Sequence, residues 1–140
     1  MTAYIFDKRG LTLLCGIVCG EKAWLPQNMI GDLSGDNYMD TAIKLERSGY
    51  LRLHDNGEVS VERTAAFLTK CICGTDDIKQ ENGGQRYIYH CEKLIVVLEA
   101  DRLSDLKCRI IPLRNEAELE QYLSEHSVLN GSKEIMEEEK

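Results

Sequence analysis

Apolar residues recur along this chain with two different periods, and the change from one to the other divides it. Leu11, Leu14, Cys15 and Val18 fall at i, i+3, i+4 and i+7, one face of a helix bracketed by Gly10 and Gly20 and interrupted by Gly16. Ala23-Trp24-Leu25-Pro26 then breaks regular structure, since Pro26 opens a helix more readily than it continues one. A short helix is expected over Gln27 to Leu33, and Ser34-Gly35-Asp36 is turn chemistry. The next helix starts near Asp36 or Asn37. Its Tyr38, Ala42, Leu45 and Gly49 stand at i, i+4, i+7 and i+11, with Met39 and Ile43 alongside, and Ser48-Gly49 ends it. Tyr50 to His54 alternates like a half-buried strand, Asp55-Asn56-Gly57 signals a hairpin, and Glu58 to Val61 returns. A further helix carries Val61, Ala65, Leu68 and Ile72, with Ser60 as its expected cap and Gly74 as its stop.

Beyond Gly74 the period becomes two. Thr75 to Gln80 reads as an edge strand and Glu81-Asn82-Gly83-Gly84 as a turn. Arg86 to Cys91 and Leu94 to Leu98 are the strongest strand signals, rich in Tyr, Ile and Val. Asp101 to Asp105 connects them to a strand at Lys107 to Leu113. Asn115 caps a last helix, where Leu119, Tyr122, Leu123 and His126 mark one face. Thr2 to Phe6 is a short leading strand or an extended arm. The expected class is therefore α+β: a winged-helix-like N-terminal half (1–74), then a small antiparallel sheet of three or four strands with a C-terminal helix packed on it (75–130), and a flexible acidic tail (131–140).

Charge narrows what such a chain can do. It holds 17 Lys and Arg against 24 Asp and Glu, a net charge of −7. An acidic surface repels phosphate backbones and anionic membranes at long range. The helix that would enter a DNA groove carries Asp36, Asn37, Asp40, Lys44, Glu46 and Arg47, and the hairpin sets Arg52 and His54 against Asp55 and Glu58. Neither element makes a phosphate clamp, so DNA binding by a winged-helix transcriptional regulator is the alternative to a protein-binding role.

Candidate chemistry is sparse. The six cysteines lack the paired spacing of a structural zinc site and read as reduced, mostly buried side chains of a cytoplasmic protein; an even count also allows disulfides, a reading that needs an export route. Leu11 to Gly20 after Lys8-Arg9 imitates a signal peptide, but Asp7 precedes it and Glu21-Lys22 replace a cleavage pattern; it is also too short to span a bilayer. His90 and Cys91 are adjacent, so on a strand they face apart and cannot act as nucleophile and base. Asp76-Asp77 and Asp101/Asp105 lack the spacing of a calcium loop, and Asn82-Gly83-Gly84 lacks the helix that a phosphate loop precedes. No catalytic residue, metal or cofactor is expected. Trp24 is read as a loop anchor tucked into the core.

Two resemblances add to this. Thr41 to Lys70, containing AIKLERSGYLRLHDNGEVSVERTAAFLTK, resembles winged-helix domains in its order of helix, strand, turn, strand and helix. More broadly, LTLLCGIV, Trp24-Leu25-Pro26, Ser48-Gly49-Tyr50-Leu51, Asp55-Asn56-Gly57-Glu58 and Phe67-Leu68 follow one another as in the EspG-like chaperones of type VII secretion, at the length of one of that family's two related halves. That resemblance implies a cytosolic, non-enzymatic adaptor that keeps a secreted helical partner soluble. The expected function is a protein-binding adaptor or chaperone. Its expected contact surface is the strand pair, through Tyr87, Tyr89, Leu94 and Val96: tyrosine is enriched in interface hot spots, and an edge strand with open backbone groups recruits partners.

Overall fold

The structure is a computed structural model that describes residues 3–101 and 103–126. The acidic 131–140 segment lies outside the described residues. In chain order the elements are β1 (Tyr4–Asp7), α1 (Lys8–Cys19), α2 (Asn37–Arg47), β2 (Leu51–Leu53), β3 (Val59–Val61), α3 (Arg63–Gly74), β4 (Ile78–Glu81), β5 (Arg86–His90), β6 (Ile95–Ala100), β7 (Lys107–Leu113) and α4 (Glu116–Glu125). Of the short helix expected over Gln27 to Leu33, only a 3-10 turn at Gln27–Met29 forms.

The fold is α+β. The period-two half forms an antiparallel sheet of order β1-β7-β6-β5-β4, and β2 pairs with β3 as a separate hairpin. The sheet has five strands, more than the sequence suggests, because Tyr4–Asp7 joins it beside β7, with Tyr4 opposite Ile110 and Asp7 opposite Lys107. The first strand of the helical half is thus part of the sheet, so Gly74 does not separate the sheet from everything before it. Alternation then gives each face its own core. Tyr87, Tyr89, Val96, Leu98, Cys108 and Ile110 meet Leu11 and Leu14 of α1, Leu45 of α2, and Leu68 and Ile72 of α3. Ile88, Ile95, Val97, Ile111 and Leu113 meet Leu119 and Tyr122 of α4. Each fully buried Leu, Ile or Val contributes about 1.5–3 kcal/mol.

Local chemistry sets the element ends. Gly49 (φ 84°) ends α2 with its N–H on Glu46 O and the Tyr50 N–H on Leu45 O, a closure that needs a left-handed residue. Glu62, rather than Ser60, caps α3: its carboxylate accepts from the N–H groups of Thr64 (2.8 Å) and Ala65 (2.9 Å). Asn115 caps α4 through the Glu118 N–H at 3.0 Å. The hairpin closes by a three-residue loop, 55–57, since the His54 N–H donates to Glu58 O and the Gly57 N–H to His54 O. No helix among the described residues is long and apolar enough to cross a membrane.

Candidate functional site

The strand pair singled out in the sequence is internal. Tyr89 and Val96 have no exposed surface, Tyr87 is buried and Leu94 is half-buried against the helical layer. The Tyr87 hydroxyl donates to Asn28 Oδ1 (2.9 Å), and Asn28 Nδ2 donates to Gly84 O (2.7 Å), so that side chain fixes a loop. The Tyr89 hydroxyl is buried without a hydrogen-bond partner among the described residues, and desolvation pushes its titration well up. β5 and β6 also lie inside the sheet, so they offer no open edge. Tyrosine at alternate positions marks one face of a strand; whether a layer of helices covers that face depends on partners distant in sequence.

The exposed apolar surface lies elsewhere. Thr41, Ala42 and Leu45 turn α2 toward the core, which leaves Met39 (58% exposed) and Ile43 (36%) outward, while Tyr38 (52%) is exposed at the start of the core stripe. Tyr38 therefore does not join Ala42 and Leu45 in the core as its spacing implies. Asp36, Asp40, Lys44, Glu46 and Arg47 are the exposed charges of α2 and its cap. Glu46 also reaches the hairpin, where its carboxylate accepts from the Leu53 N–H at 3.4 Å. Leu53 and Val59, cross-strand neighbours, are exposed on the hairpin. Trp24 is exposed as well, because Leu25 and Met29 fill the core positions of that loop.

Beside α2 runs a cleft of about 480 Å³. Its walls are the first turn of α1 (Lys8, Arg9), the loop through Asn28 to Asp32, α2 (Asp40, Thr41, Lys44) and Ser104 to Lys107. The loop lies directly on α1: the Gly31 N–H donates to Thr12 Oγ1 (2.8 Å), which itself donates to Lys8 O (2.8 Å). A Cβ on Gly31 would overlap the Arg9 backbone nitrogen and Cα, so only glycine allows this approach. A second recess of about 150 Å³ adjoins it, sharing Asp7, Thr41, Lys44 and Lys107, and reaches Ile5, Phe6 and Tyr50. Its mixed lysine and aspartate lining suits a polypeptide better than a small apolar ligand.

The titratable side chains elsewhere are tied up in the fold. Glu99 accepts from Arg86 Nε (2.6 Å), Arg109 Nη2 (2.9 Å) and the Tyr122 hydroxyl (2.7 Å). Burial alone would raise its carboxyl, but the bonds from Arg109, Tyr122 and Arg86 outweigh that and hold it below the usual range. His126, placed by its spacing on the apolar face of α4, is exposed, stacked on Tyr122 with ring centroids 4.2 Å apart. His90 lies between Asp77 (3.7 Å) and Glu116 (2.9 Å) at the surface. His54 Nε2 and Ser60 Oγ are 2.6 Å apart on the exposed hairpin, a diagonal contact, since Ser60 pairs with Arg52; no other described side chain bonds the ring to orient it as a base.

All six cysteines are free thiols. The Cys91 thiol donates to Cys71 O at 3.6 Å, and hydrogen bonding between the two cysteine side chains lowers Cys71 and raises Cys91. Cys19 is pushed up to about 12 by burial and the Cys73 thiol. Among the described residues no group of three or more His, Cys, Asp or Glu side chains is arranged to hold a metal ion.

Comparison with protein-family models, curated proteins and solved structures finds no match to this chain.

Proposed function

We propose that this chain is a non-enzymatic protein-binding adaptor or chaperone that docks a polypeptide partner on the outward side of α2 and the cleft beside it. One observation carries the reading. The helix that a winged-helix regulator would place in a DNA groove exposes Tyr38, Met39 and Ile43, and its exposed charges, Asp36, Asp40 and Glu46 against Lys44 and Arg47, leave an excess of acid. Apolar and aromatic side chains in an acidic setting gain by desolvation against protein and are repelled by phosphate. Six free thiols fit a reducing compartment and support a cytoplasmic setting. The likeness to EspG-like chaperones adds a class of client, a secreted helical protein.

The test is capture from an extract of the source cell, comparing the native chain with the double variant Met39→Glu/Ile43→Glu. The native chain is expected to retain one stoichiometric protein and the variant to lose it while keeping its far-ultraviolet spectrum. Retention of random-sequence duplex DNA at physiological salt, falling steeply as salt rises, would replace this reading with the regulator.

A further inference from the structure

We propose that the outer edge of β1 binds an extended acidic segment of a partner protein by strand addition, in the groove between β1 and α2. The inference rests on the polypeptide-binding reading and names the form and charge of what is bound.

β1 is the terminal strand on its side of the sheet. The Lys8 N–H donates to Leu106 O at 2.8 Å, which sets the alternation: Lys8 with Leu106, Phe6 with Cys108 and Tyr4 with Ile110 are the bonded pairs. Ile5 and Asp7 must then turn their backbone groups outward. The Ile5 N–H, the Ile5 C=O and the Asp7 N–H thus point away from β7, the only strand that β1 pairs with among the described residues. Donor, acceptor and donor in a row are the complement of an extended chain, whereas a helix satisfies its own backbone and cannot use them. A pairing strand sits about 4.8 Å away, and a recess lies on that side: Thr41, Lys44 and Leu45 of α2, with Ser48 just after it, line it together with Ile5 and Phe6.

Charge selects the occupant. In a chain of net charge −7, the charged side chains lining this recess are Lys44 and Lys107 against Asp7 alone. The wider cleft is balanced, with Lys8, Arg9, Lys44 and Lys107 against Asp7, Asp32, Asp40 and Asp105, so the positive excess is confined to the recess beside β1. A second copy paired edge to edge would set these lysines against themselves under a two-fold axis, so self-association is disfavoured. The opposite edge, β4, carries Lys79, Gln80 and Glu81, with Lys79 and Glu81 3.8 Å apart, the kind of charged edge that resists strand addition.

The experiment measures fluorescence anisotropy of labelled peptides in which glutamate alternates with valine, titrated with the full chain. Matched peptides carry lysine for glutamate, or N-methyl groups on alternate amides in either of the two registers. The glutamate peptide is expected to bind at least about tenfold more tightly than the lysine peptide, and one methylation register to abolish binding while the other leaves it. Ile5→Pro removes an outward N–H and no internal bond, so it is expected to weaken binding at least about tenfold while Ile5→Thr retains it. Lys44→Glu/Lys107→Glu is expected to reverse the charge preference. No binding by the glutamate peptide, preference for lysine, or equal effects of both methylation registers would overturn the proposal. So would concentration-dependent dimers that Ile5→Pro dissolves, since the occupant would then be a second copy. Partner capture that depends on Met39 and Ile43 but survives Ile5→Pro would leave the adaptor reading standing and remove this edge from it.

Discussion

Glu99 is a buried acid held by two arginines and a tyrosine, and its neighbours show what the arrangement is for. Arg86 is buried too, and its second arm donates to the His126 carbonyl at 2.7 Å, so the network ties the end of α4 to the sheet. Removing one side of such a pair strands the other charge. Glu99→Gln is expected to destabilise the fold by about 3 kcal/mol, measured by urea unfolding. The folded carboxyl lies below its unfolded value, so its contribution is complete above about pH 4.3, the ordinary range of an unfolded glutamate, and disappears as pH falls through the folded value. The native chain should therefore lose stability on acidification in that window, and the Gln variant should lose less. Nothing in the spacing of Arg86, Glu99 and Arg109 announces this network. Their alternation marks them as sharing a face, but only the pairing of Arg86 with Glu99 and of Glu99 with Arg109 brings the charges together.

Two glycines show how far element-level reading goes. Gly16 in α1 has nothing near its missing side chain and sits in a helix interior, so Gly16→Ala is expected to stabilise by about 0.5–1 kcal/mol. Gly31 meets the backbone of α1, which cannot move aside, so Gly31→Ala is expected to destabilise by about 1–3 kcal/mol. Thermal midpoints of the two variants, shifting in opposite directions, check both. The helices α1, α2 and α3, the hairpin and the strands β5 to β7 were legible because a local period, a turn or a cap specifies each of them. The Gln27–Leu33 helix was not: Gly31 serves there as a point of close approach, and that role depends on a helix nineteen residues earlier. The exposure of Tyr38 was hidden for a related reason. Tyr38 shares the stripe of Ala42 and Leu45 but stands in the first turn of α2, and how far along that stripe the covering layer reaches is set by elements distant in sequence.

At the scale of the molecule, β1 is the tie between the halves. It precedes the helices in sequence and completes the sheet beside β7, while the helices cover Tyr87, Tyr89, Val96 and Leu98. A fragment of residues 75–126 would expose that whole face and is expected to remain unfolded by circular dichroism. The intact chain is expected to melt in a single transition with equal calorimetric and van't Hoff enthalpies. Burial of Tyr87, Tyr89 and Val96 follows from the same layering, and it takes the strand pair expected as a contact surface out of reach of a partner; the free edge proposed instead, at β1, depends on the pairing of residues 4–7 with 107–110, which spans the chain. The layering also gives β6 a particular property. Val96, Val97 and Leu98 have no exposed surface, and strands flank β6 on both sides. Its amides have no local route to water, so their deuterium uptake should proceed only when the entire chain opens, making that one strand an internal gauge of global unfolding free energy in the absence of any denaturant.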